Sequence, residues 1–186
     1  TLFRSTYPLF SADEYVKPSE KSSYLNFIQM DCKDITQSFL DKIRQDKTVV
    51  LILTTNNPHG MAAQRQVFLE LDAQGIKTPV IIKRAYNKMD ADKAILYAST
   101  DIGTLFIDGW GDGIWLDVEE ASLEIINKTS FGILQAARMR ISKTEYISCP
   151  SCGRTLFDLQ ETTAKIRSRT AHLKGVKIGI MGCIVN

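Results

Sequence analysis

The run Val49-Val50-Leu51-Ile52-Leu53 is a continuous apolar stretch rich in β-branched residues. A run of this kind predicts a strand that is buried on both faces, as in a parallel sheet. Pro79-Val80-Ile81-Ile82 has the same character. Residues 60–74 lie between the two runs and carry apolar side chains at helical spacing, of which we expect three to face inward: Val67, Leu69 and Leu71. A strand, a helix and a second strand in this order predict a βα unit of an α/β fold.

The alternation of strands and helices continues in both directions from this unit. Residues 1–22 are mixed in character, with prolines, serines and charges, and predict an irregular segment. The pattern then predicts strands at 24–30, 105–107 and 113–116, and helices at 35–44, 90–100 and 118–140, the last broken near Asn127 and Gly132. About four βα units would precede Lys143, which amounts to half of an eight-fold βα barrel or a small open sheet.

Overall composition limits the classes of function. The chain has 186 residues, is 44% hydrophobic and 24% charged, and carries a net charge of +2. These values are typical of a globular protein, and the net charge is too small to indicate nucleic acid or a membrane as a partner. No apolar stretch approaches the ~18 residues that span a bilayer, and no secretory signal opens the sequence. Because the chain starts at Thr1 without Met and stops at Asn186 directly after an apolar run, we expect a fragment of a longer protein.

Charge is distributed unevenly along the chain. Residues 138–177 carry a net charge of +6, whereas the first 137 residues carry −4. This shift in composition predicts a domain boundary near residue 141, with one domain over 1–140 and a second over 141–186.

Cysteine usage gives the first indication of chemistry. Four cysteines are too few for a disulfide-stapled secreted domain, and three of them, Cys149, Cys152 and Cys183, lie in the last 38 residues. A strand pattern precedes Cys149, a helix pattern covers 158–173, and a second strand pattern at 176–181 precedes Cys183. The carboxyl ends of two parallel strands joined by one crossover helix lie close together, so we expect the three thiols to converge.

Spacing alone leaves three kinds of site open. A structural zinc ion would need four ligands, and His172 could complete a set with Cys149, Cys152 and Cys183. A thiol–disulfide site would use Cys149 and Cys152 and leave Cys183 unexplained. An iron–sulfur cluster could use the three cysteines with a different fourth ligand.

Several motifs near the C-terminus resemble one family. The segments are Glu145-Tyr146-Ile147-Ser148-Cys149-Pro150-Ser151-Cys152-Gly153-Arg154 with the following Phe157-Asp158, then Gly179-Ile180-Met181-Gly182-Cys183-Ile184-Val185-Asn186, and, upstream, Phe131 to Arg140. They closely resemble the last barrel helix and the C-terminal domain of the 4-hydroxy-3-methylbut-2-enyl diphosphate synthase family. Gly111 to Leu116 is a weaker match to the last barrel strand, and residues 1–100 contain no motif of the family.

The resemblance implies a [4Fe–4S] cluster held by Cys149, Cys152 and Cys183. The family's fourth ligand is a Glu in an Asn-Gly-Pro-Gly-Glu motif, of which this chain contains only the first residue, Asn186. Arg154 and Asn186 are neighbours of these ligands in sequence and are the further residues that we would tie to the cluster. The catalytic and diphosphate-binding residues belong to the family's N-terminal barrel and cannot be assigned in this chain.

The implied activity is the reductive dehydroxylation of 2-C-methyl-D-erythritol 2,4-cyclodiphosphate in non-mevalonate isoprenoid synthesis, with ferredoxin or flavodoxin as the electron donor. A larger, plant-like form of the family carries an inserted barrel-like domain, and residues 1–140 resemble the C-terminal part of that insert. Residues 141–186 would then be a truncated cluster-binding domain that works with the N-terminal barrel of the same protein, and a homodimer is compatible with this organisation. The resemblance implies a bacterial cytoplasm or a plastid stroma, and we expect the fragment alone to be inactive.

Other conspicuous residues have simpler interpretations. We interpret Cys32 as a packed thiol, His59 as a loop histidine and His172 as a residue that suits the negative end of a helix dipole. The glycine-rich segment 109–113 lacks the Gly-Lys-Ser/Thr that marks a phosphate loop and predicts an ordinary turn. Arg167, Arg169 and Lys174 fit a solvated helix face or a docking site for the electron donor equally well.

Overall fold

The chain forms two compact units, Thr1–Ile133 (unit 1) and Leu134–Asn186 (unit 2). We analysed a computed structural model, which describes residues 6–17, 20–149 and 155–182. Among these residues, no helix combines the length and the apolar character that crossing a lipid bilayer requires.

Unit 1 is built on a parallel sheet of five strands arranged in chain order. The strands are β1 (Leu9–Ser11), β2 (Asn26–Asp31), β3 (Val49–Thr54), β4 (Val80–Tyr86) and β5 (Gly113–Val118), and the helices between them are α1 (Ala12–Val16), α2 (Gln37–Gln45), α3 (Gly60–Ala73) and α4 (Ala91–Ile107). A fifth helix, α5 (Leu123–Ala136), starts in unit 1 and ends in unit 2. Since parallel crossovers are right-handed, strands in chain order place α1 to α4 on the same face of the sheet.

The hydrophobic core of unit 1 lies between that sheet face and the helices. Ile28 of β2 pairs with Leu51 of β3, and Ile82 of β4 pairs with Leu53. Ile28, Leu51 and Ile82 are fully buried. On the opposite face Gln29 and Lys83 are half-buried, and Trp115 is 41% exposed. The predicted α/β class with successive βα units is therefore confirmed.

Three details of the predicted secondary structure and one predicted core position were wrong. Residues 105–107 form the end of α4 and not a strand, because Leu105 and Phe106 continue the buried helical stripe that starts at Ala94. Leu69 is 53% exposed, and its neighbour Phe68 is buried instead. The helix α5 runs through Asn127 and Gly132 without a break. The segment 1–22 contains β1 and α1, which begins with a capping box between Ser11 and Glu14.

Unit 2 contains the βαβ arrangement that the strand and helix patterns around the cysteines predicted. Its strands β6 (Glu145–Ser148) and β7 (Lys177–Ile180) pair in parallel, from Glu145 opposite Lys177 to Ser148 opposite Ile180. The crossover helix α6 (Leu159–Thr170) is capped by Asp158, whose Oδ1 accepts a hydrogen bond of 2.9 Å from the Glu161 amide. The assignment of residues 1–140 to an inserted domain and of 141–186 to a cluster domain stays a prediction.

Candidate metal centre

Cys149 lies at the carboxyl edge of the two-stranded sheet in unit 2. It directly follows β6, and its backbone amide donates a hydrogen bond of 3.4 Å to the carbonyl oxygen of Ile180, the last residue of β7. Its side chain is half-buried and makes no disulfide. The geometry therefore places this thiol beside the end of the strand that leads to Cys183.

A close contact joins the two cysteine-bearing segments. A Cβ added to Gly182 would lie 2.6 Å from Cγ2 and 3.0 Å from Oγ1 of Thr155, so the Gly182 backbone packs tightly against that side chain. Gly182 immediately precedes Cys183, and Thr155 immediately follows Arg154. Thr155, three residues after Cys152, therefore lies against Gly182, one residue before Cys183.

Part of the predicted site lies outside the described residues: Cys152, Arg154, Cys183 and Asn186. Within the part that the structure describes, no group of three or more His, Cys, Asp and Glu side chains is placed to hold a metal ion. The Oγ1 atom of Thr155 is buried and has no hydrogen-bond partner among the described residues. The Cys149 thiol is a donor of the kind that iron–sulfur clusters use, and it lies at the carboxyl edge of the sheet.

The zinc set that included His172 was wrong. His172 is exposed and follows the end of α6. That end lies over the amino ends of the strands, because Thr170 Oγ1 is 2.8 Å from the Tyr146 hydroxyl and Thr144 Oγ1 donates to the Leu173 carbonyl. Cys149 is at the other edge, one four-residue strand or about 13 Å away. Ligands of one zinc ion bind at about 2 Å, so Cys149 and His172 cannot share it.

The basic residues of unit 2 lie mainly at the amino edge of the sheet. Arg167 and Arg169 are in the last turn of α6, and the guanidinium of Arg167 lies 5.0 Å from the centre of the Tyr146 ring. Lys177 opens β7 and lies 3.8 Å from a Glu145 carboxylate oxygen. These cations are therefore away from the cysteine edge of the sheet.

Cys32 of unit 1 has the environment of a packed thiol. Its Sγ donates a weak hydrogen bond of 3.5 Å to the Thr54 carbonyl, and burial raises the pKa of the thiol to about 11. The side chain lines a cleft of about 460 Å³ between α2 and α3. A thiol with a raised pKa is a poor nucleophile at neutral pH, which agrees with its interpretation as an ordinary cysteine.

The other residues of unit 1 that the sequence singled out are a loop histidine and a glycine-rich turn. His59 is exposed directly before α3, and its side chain makes no capping hydrogen bond. The segment 109–113 is a turn that leads into β5, with φ of 86° at Gly109 and 91° at Gly111. Asp112 closes that turn with two hydrogen bonds to Val80. Its carboxylate accepts from the Val80 amide at 2.8 Å, and its own amide donates to the Val80 carbonyl at 2.7 Å.

Sequence reasoning missed a buried polar network in unit 1. Arg84, 5% exposed, bonds Asp101 at 3.0 Å through Nε and the Thr55 carbonyl at 2.9 Å. The Tyr86 hydroxyl donates to the same Asp101 oxygen at 3.0 Å. Gly60 leaves room for the guanidinium, because a Cβ there would lie 2.1 Å from Arg84 Cζ. The available signal was the alternation of β4, which puts Arg84 on the same face as Val80 and Ile82.

Comparisons with known proteins agree with this geometry. Residues 145–186 match the family model described as GcpE protein C-terminal domain. A 4-hydroxy-3-methylbut-2-en-1-yl diphosphate synthase (flavodoxin) of Parabacteroides distasonis is 46% identical over 182 residues, which are 98% of this chain and 30% of that protein. A relative of the same name from Protochlamydia amoebophila is 50% identical over 74% of this chain and 20% of its own length.

A plant relative shows the same similarity. The chloroplastic 4-hydroxy-3-methylbut-2-en-1-yl diphosphate synthase (ferredoxin) of Oryza sativa subsp. japonica is 50% identical over 67% of this chain and 17% of its own length. The chain spans at most about a third of the length of these curated relatives. Similarity over nearly the whole chain, together with the domain match over unit 2's βαβ segment, shows that the chain belongs to the 4-hydroxy-3-methylbut-2-en-1-yl diphosphate synthase family.

Proposed function

We propose that the chain is part of a synthase that reductively dehydroxylates 2-C-methyl-D-erythritol 2,4-cyclodiphosphate in the non-mevalonate isoprenoid pathway. The reaction opens the cyclic diphosphate, takes up two electrons from the electron donor and protons from solvent, and releases a hydroxyl oxygen of the substrate as water. The single observation that carries the proposal is the position of Cys149 at the carboxyl edge of the β6–β7 sheet, where its amide bonds Ile180, in a segment similar to that family's C-terminal domain.

The role that we propose for this chain is to hold the redox group. Cys149, Cys152 and Cys183 would be three ligands of a [4Fe–4S] cluster, and a Glu beyond Asn186 would be the fourth. When bound, such a cluster supplies electrons to the substrate, and one iron with a carboxylate ligand can exchange that ligand more readily than an all-thiolate site. The hydrogen bond of 3.4 Å from the Cys149 amide to the Ile180 carbonyl supports this role, because it holds Cys149 beside the end of β7.

The remaining parts of the activity come from outside the chain. We propose that the cyclic diphosphate is bound by an N-terminal barrel of the same protein, and that unit 1 is the end of an inserted βα domain. The names of the relatives support flavodoxin or ferredoxin as electron donor. We further propose that the parent protein forms a homodimer and works in a bacterial cytoplasm or a plastid stroma. In this proposal the 186-residue chain alone does not turn over substrate.

Iron content of the full-length protein tests the ligand assignment. After anaerobic reconstitution with iron and sulfide, we expect Cys149→Ala and Cys183→Ala to lose most of the bound iron and the cluster's absorbance. Cys32→Ala is the matched control, because its thiol is packed in unit 1 and bonded to a backbone carbonyl. It should keep the wild-type iron content.

Two outcomes would contradict the proposal. Full iron and sulfide content in Cys149→Ala would remove that residue from the ligand set. One tightly held zinc with no incorporation of iron into the wild-type protein would replace the redox role by a structural one.

A further inference from the structure

Positive charge is concentrated at the amino edge of the two-stranded sheet in unit 2. Thr144, which directly precedes β6, donates through Oγ1 to the Leu173 carbonyl, and the Glu145 amide donates to the Val176 carbonyl at 2.9 Å. The segment after α6 therefore lies against the start of β6, and the basic residues of both segments come together. We call the resulting surface the amino-edge patch, and it consists of Arg138, Lys143, Arg167, Arg169, Lys174 and Lys177.

The amino-edge patch has little compensating negative charge. Unit 2 contains three acidic residues, of which Glu145 is at this edge and lies 3.4 Å from Arg138 and 3.8 Å from Lys177. Asp158 caps the start of α6 and Glu161 is in its first turn, at the opposite edge of the sheet. Six cations thus lie near one carboxylate, and like charges at this density repel one another in the folded protein.

Three cations of the patch are available to another molecule. Lys143, Arg169 and Lys174 are exposed, and their side chains form no ion pair with any residue that the structure describes. The dipole of α6 favours a cation in its last turn and so accounts for Arg169. Lys143 and Lys174 are outside the helix, and the dipole gives no reason for their charge.

Apolar side chains are exposed among these charges. Leu173 is 37% exposed and Val176 is 41% exposed, and both belong to the segment that bonds the start of β6. An apolar centre with a charged rim is typical of contact surfaces between proteins. Binding to nucleic acid or to lipid headgroups depends mainly on the cations themselves. The composition of the patch therefore favours an acidic protein as its partner.

The position of the patch relative to Cys149 suits an electron donor. The patch is at the opposite end of β6 from Cys149, one four-residue strand or about 13 Å away. In the proposed function the cyclic diphosphate has to reach the redox group at the carboxyl edge, so a protein bound at that edge would block it. An electron, unlike a substrate, crosses a short distance through protein without contact between donor and acceptor. A donor at the amino edge leaves the cysteine edge to the substrate.

We infer, on the basis of the proposed function, that the amino-edge patch is the docking surface for an acidic electron-donor protein. Each encounter transfers one electron, which oxidises the donor and reduces the redox group held by unit 2, and no bond forms or breaks. Two encounters supply the two electrons of the reaction. Weak redox encounters bury less than about 1,200 Å², and complementary charge mainly raises their association rate. A small, exposed patch of one sign of charge meets both conditions.

Rapid mixing of the reconstituted full-length protein with reduced flavodoxin tests this inference. The patch variant combines Lys143→Gln, Arg169→Gln and Lys174→Gln, whose side chains bond nothing in the described part of the chain. At an ionic strength of about 0.01 M we expect the second-order rate constant of cluster reduction to fall about ten-fold. At about 1 M, where the Debye length is about 3 Å, it should lie within about two-fold of the wild-type value.

A charge-matched control separates position from net charge. It combines Lys47→Gln, Lys77→Gln and Lys93→Gln, three exposed positions in unit 1. The control loses as much positive charge as the patch variant and should keep the rate within about two-fold of wild type. In both variants we expect the wild-type iron content and the wild-type rate of reduction by photoreduced 5-deazariboflavin, a small neutral reductant. These two readouts show that the redox group is intact when the flavodoxin rate falls.

Carbodiimide cross-linking maps the contact whether or not a cluster is bound. The reagent joins a carboxylate of one protein directly to a lysine amine of the other. We expect flavodoxin to be linked to Lys143, Lys174 and Lys177 of the full-length protein and not to Lys47 or Lys77. These links should be lost at an ionic strength of about 1 M.

The possible failures of the inference and of the proposed function give different results. A wild-type protein that takes up no iron would contradict the proposed function and the inference that rests on it. A loaded protein that flavodoxin reduces equally fast in the patch variant and in the wild type would overturn the inference alone. Links from Lys143 or Lys174 to carboxylates of the parent protein itself, formed without flavodoxin, would also overturn it, because the patch would then be an internal or dimer contact. Binding to anionic phospholipid vesicles or duplex DNA that is tighter than binding to flavodoxin and is lost in the patch variant would replace the acidic protein by that partner.

Discussion

Arg84 shows how one residue connects three parts of unit 1. Its guanidinium reaches Asp101 in α4 and the carbonyl oxygens of Thr55 and Asn57, which lead from β3 into α3. The side chains of Arg84 and Asp101 are 6% and 13% exposed, so both charges are removed from water. A buried pair of this kind is costly to break, because the partner that remains is left charged and unpaired.

Replacing Arg84 should therefore destabilise unit 1 strongly. We expect Arg84→Met to lower the free energy of unfolding by about 3–5 kcal/mol, since Asp101 would lose its charged partner in a buried position. Urea unfolding followed by tryptophan fluorescence measures the change. Lys83→Met is the matched control: Lys83 is adjacent in β4 but faces the other side, where it bonds Gln29 at 3.2 Å. If Arg84→Met lowered the free energy of unfolding no more than Lys83→Met does, the stabilising role of the buried Arg84–Asp101 pair would be contradicted.

Asp46 is a second residue with a measurable charge effect. Its carboxylate accepts hydrogen bonds from the Thr48 amide at 2.9 Å, the Thr48 hydroxyl at 2.6 Å and the Tyr15 hydroxyl at 2.6 Å. Burial acts in the opposite direction, but these bonds hold the pKa of Asp46 below its ordinary value. The unfolded chain then binds the proton more readily, so this contribution to stability is present above the unfolded pKa of about 3.9 and is lost as the pH falls through the folded value.

Asp46→Asn should consequently show a pH-dependent loss of stability. We expect it to lower the free energy of unfolding by about 1–2 kcal/mol at pH 7, because hydrogen bonds to a charged acceptor are lost. The difference from wild type should shrink as the pH falls below about 3.9, where the unfolded chain takes up the proton, and should be lost once the pH is below the lowered pKa of the folded protein. Urea unfolding over a range of pH measures this. Asp41→Asn, at an exposed position in the same helix region, should change stability little, and a difference at Asp46 that does not vary with pH would contradict the electrostatic explanation.

At the scale of elements, the sequence predicted buried strands well and ambiguous apolar triplets poorly. The apolar runs at 49–53 and 80–82 lie in β3 and β4, as predicted, because a short continuous run of β-branched residues is typical of a buried parallel strand. Leu105-Phe106-Ile107 has equal strand character, but the preceding residues already form a helix whose buried stripe it extends. Leu69 was wrongly placed inside because residues 67, 69 and 71 have the spacing of a strand; on a helix Val67 and Leu71 share a face with Phe68, which is the buried residue. Tertiary packing decided the case of residues 105–107, whereas the helical pattern itself excludes Leu69 from the buried face.

The N-terminal cap of α6 gives a prediction for the crossover helix. Asp158 Oδ1 accepts the Glu161 amide, which otherwise has no partner in the first turn. We expect Asp158→Ala to cost about 1 kcal/mol, and amides of α6 should exchange faster with deuterium. Asp158→Asn is the matched control, because asparagine keeps the capping oxygen and loses only the charge. Faster exchange in Asp158→Asn equal to that in Asp158→Ala would show that charge, not capping, stabilises the helix.

At the scale of the whole molecule, chain topology explains which part of the site could be predicted. In a βαβ unit the residues that follow both parallel strands lie at the same edge of the sheet, so the placement of Cys149 and Gly182 at the carboxyl edge followed from the order of the elements. The same topology places the end of α6 at the amino edge, so His172 cannot share a metal ion with Cys149, and a list of ligand residue types contains no information on this distance. The Arg84 network joins residues 55, 84 and 101 through tertiary packing, so no local motif could reveal it.

The two units should differ widely in stability. Unit 1 buries an extended core over four strands and their helices, whereas the buried apolar side chains of unit 2, among its described residues, are Leu159 and Ile180. A two-stranded sheet with one helix is marginal in water, because it buries too little apolar surface to offset the entropy of ordering. We expect amides of β6 and β7 in the 186-residue chain to exchange with deuterium at least 100-fold faster than those of β2, β3 and β4, as measured by mass spectrometry of peptides from each strand.

Cluster binding in the full-length protein should slow exchange in β6 and β7 and leave β3 unchanged, since binding stabilises only the unit that holds the ligands. Equal protection of β3 and β7 in the 186-residue chain would mean that unit 2 is stabilised by its own packing and does not depend on the cluster.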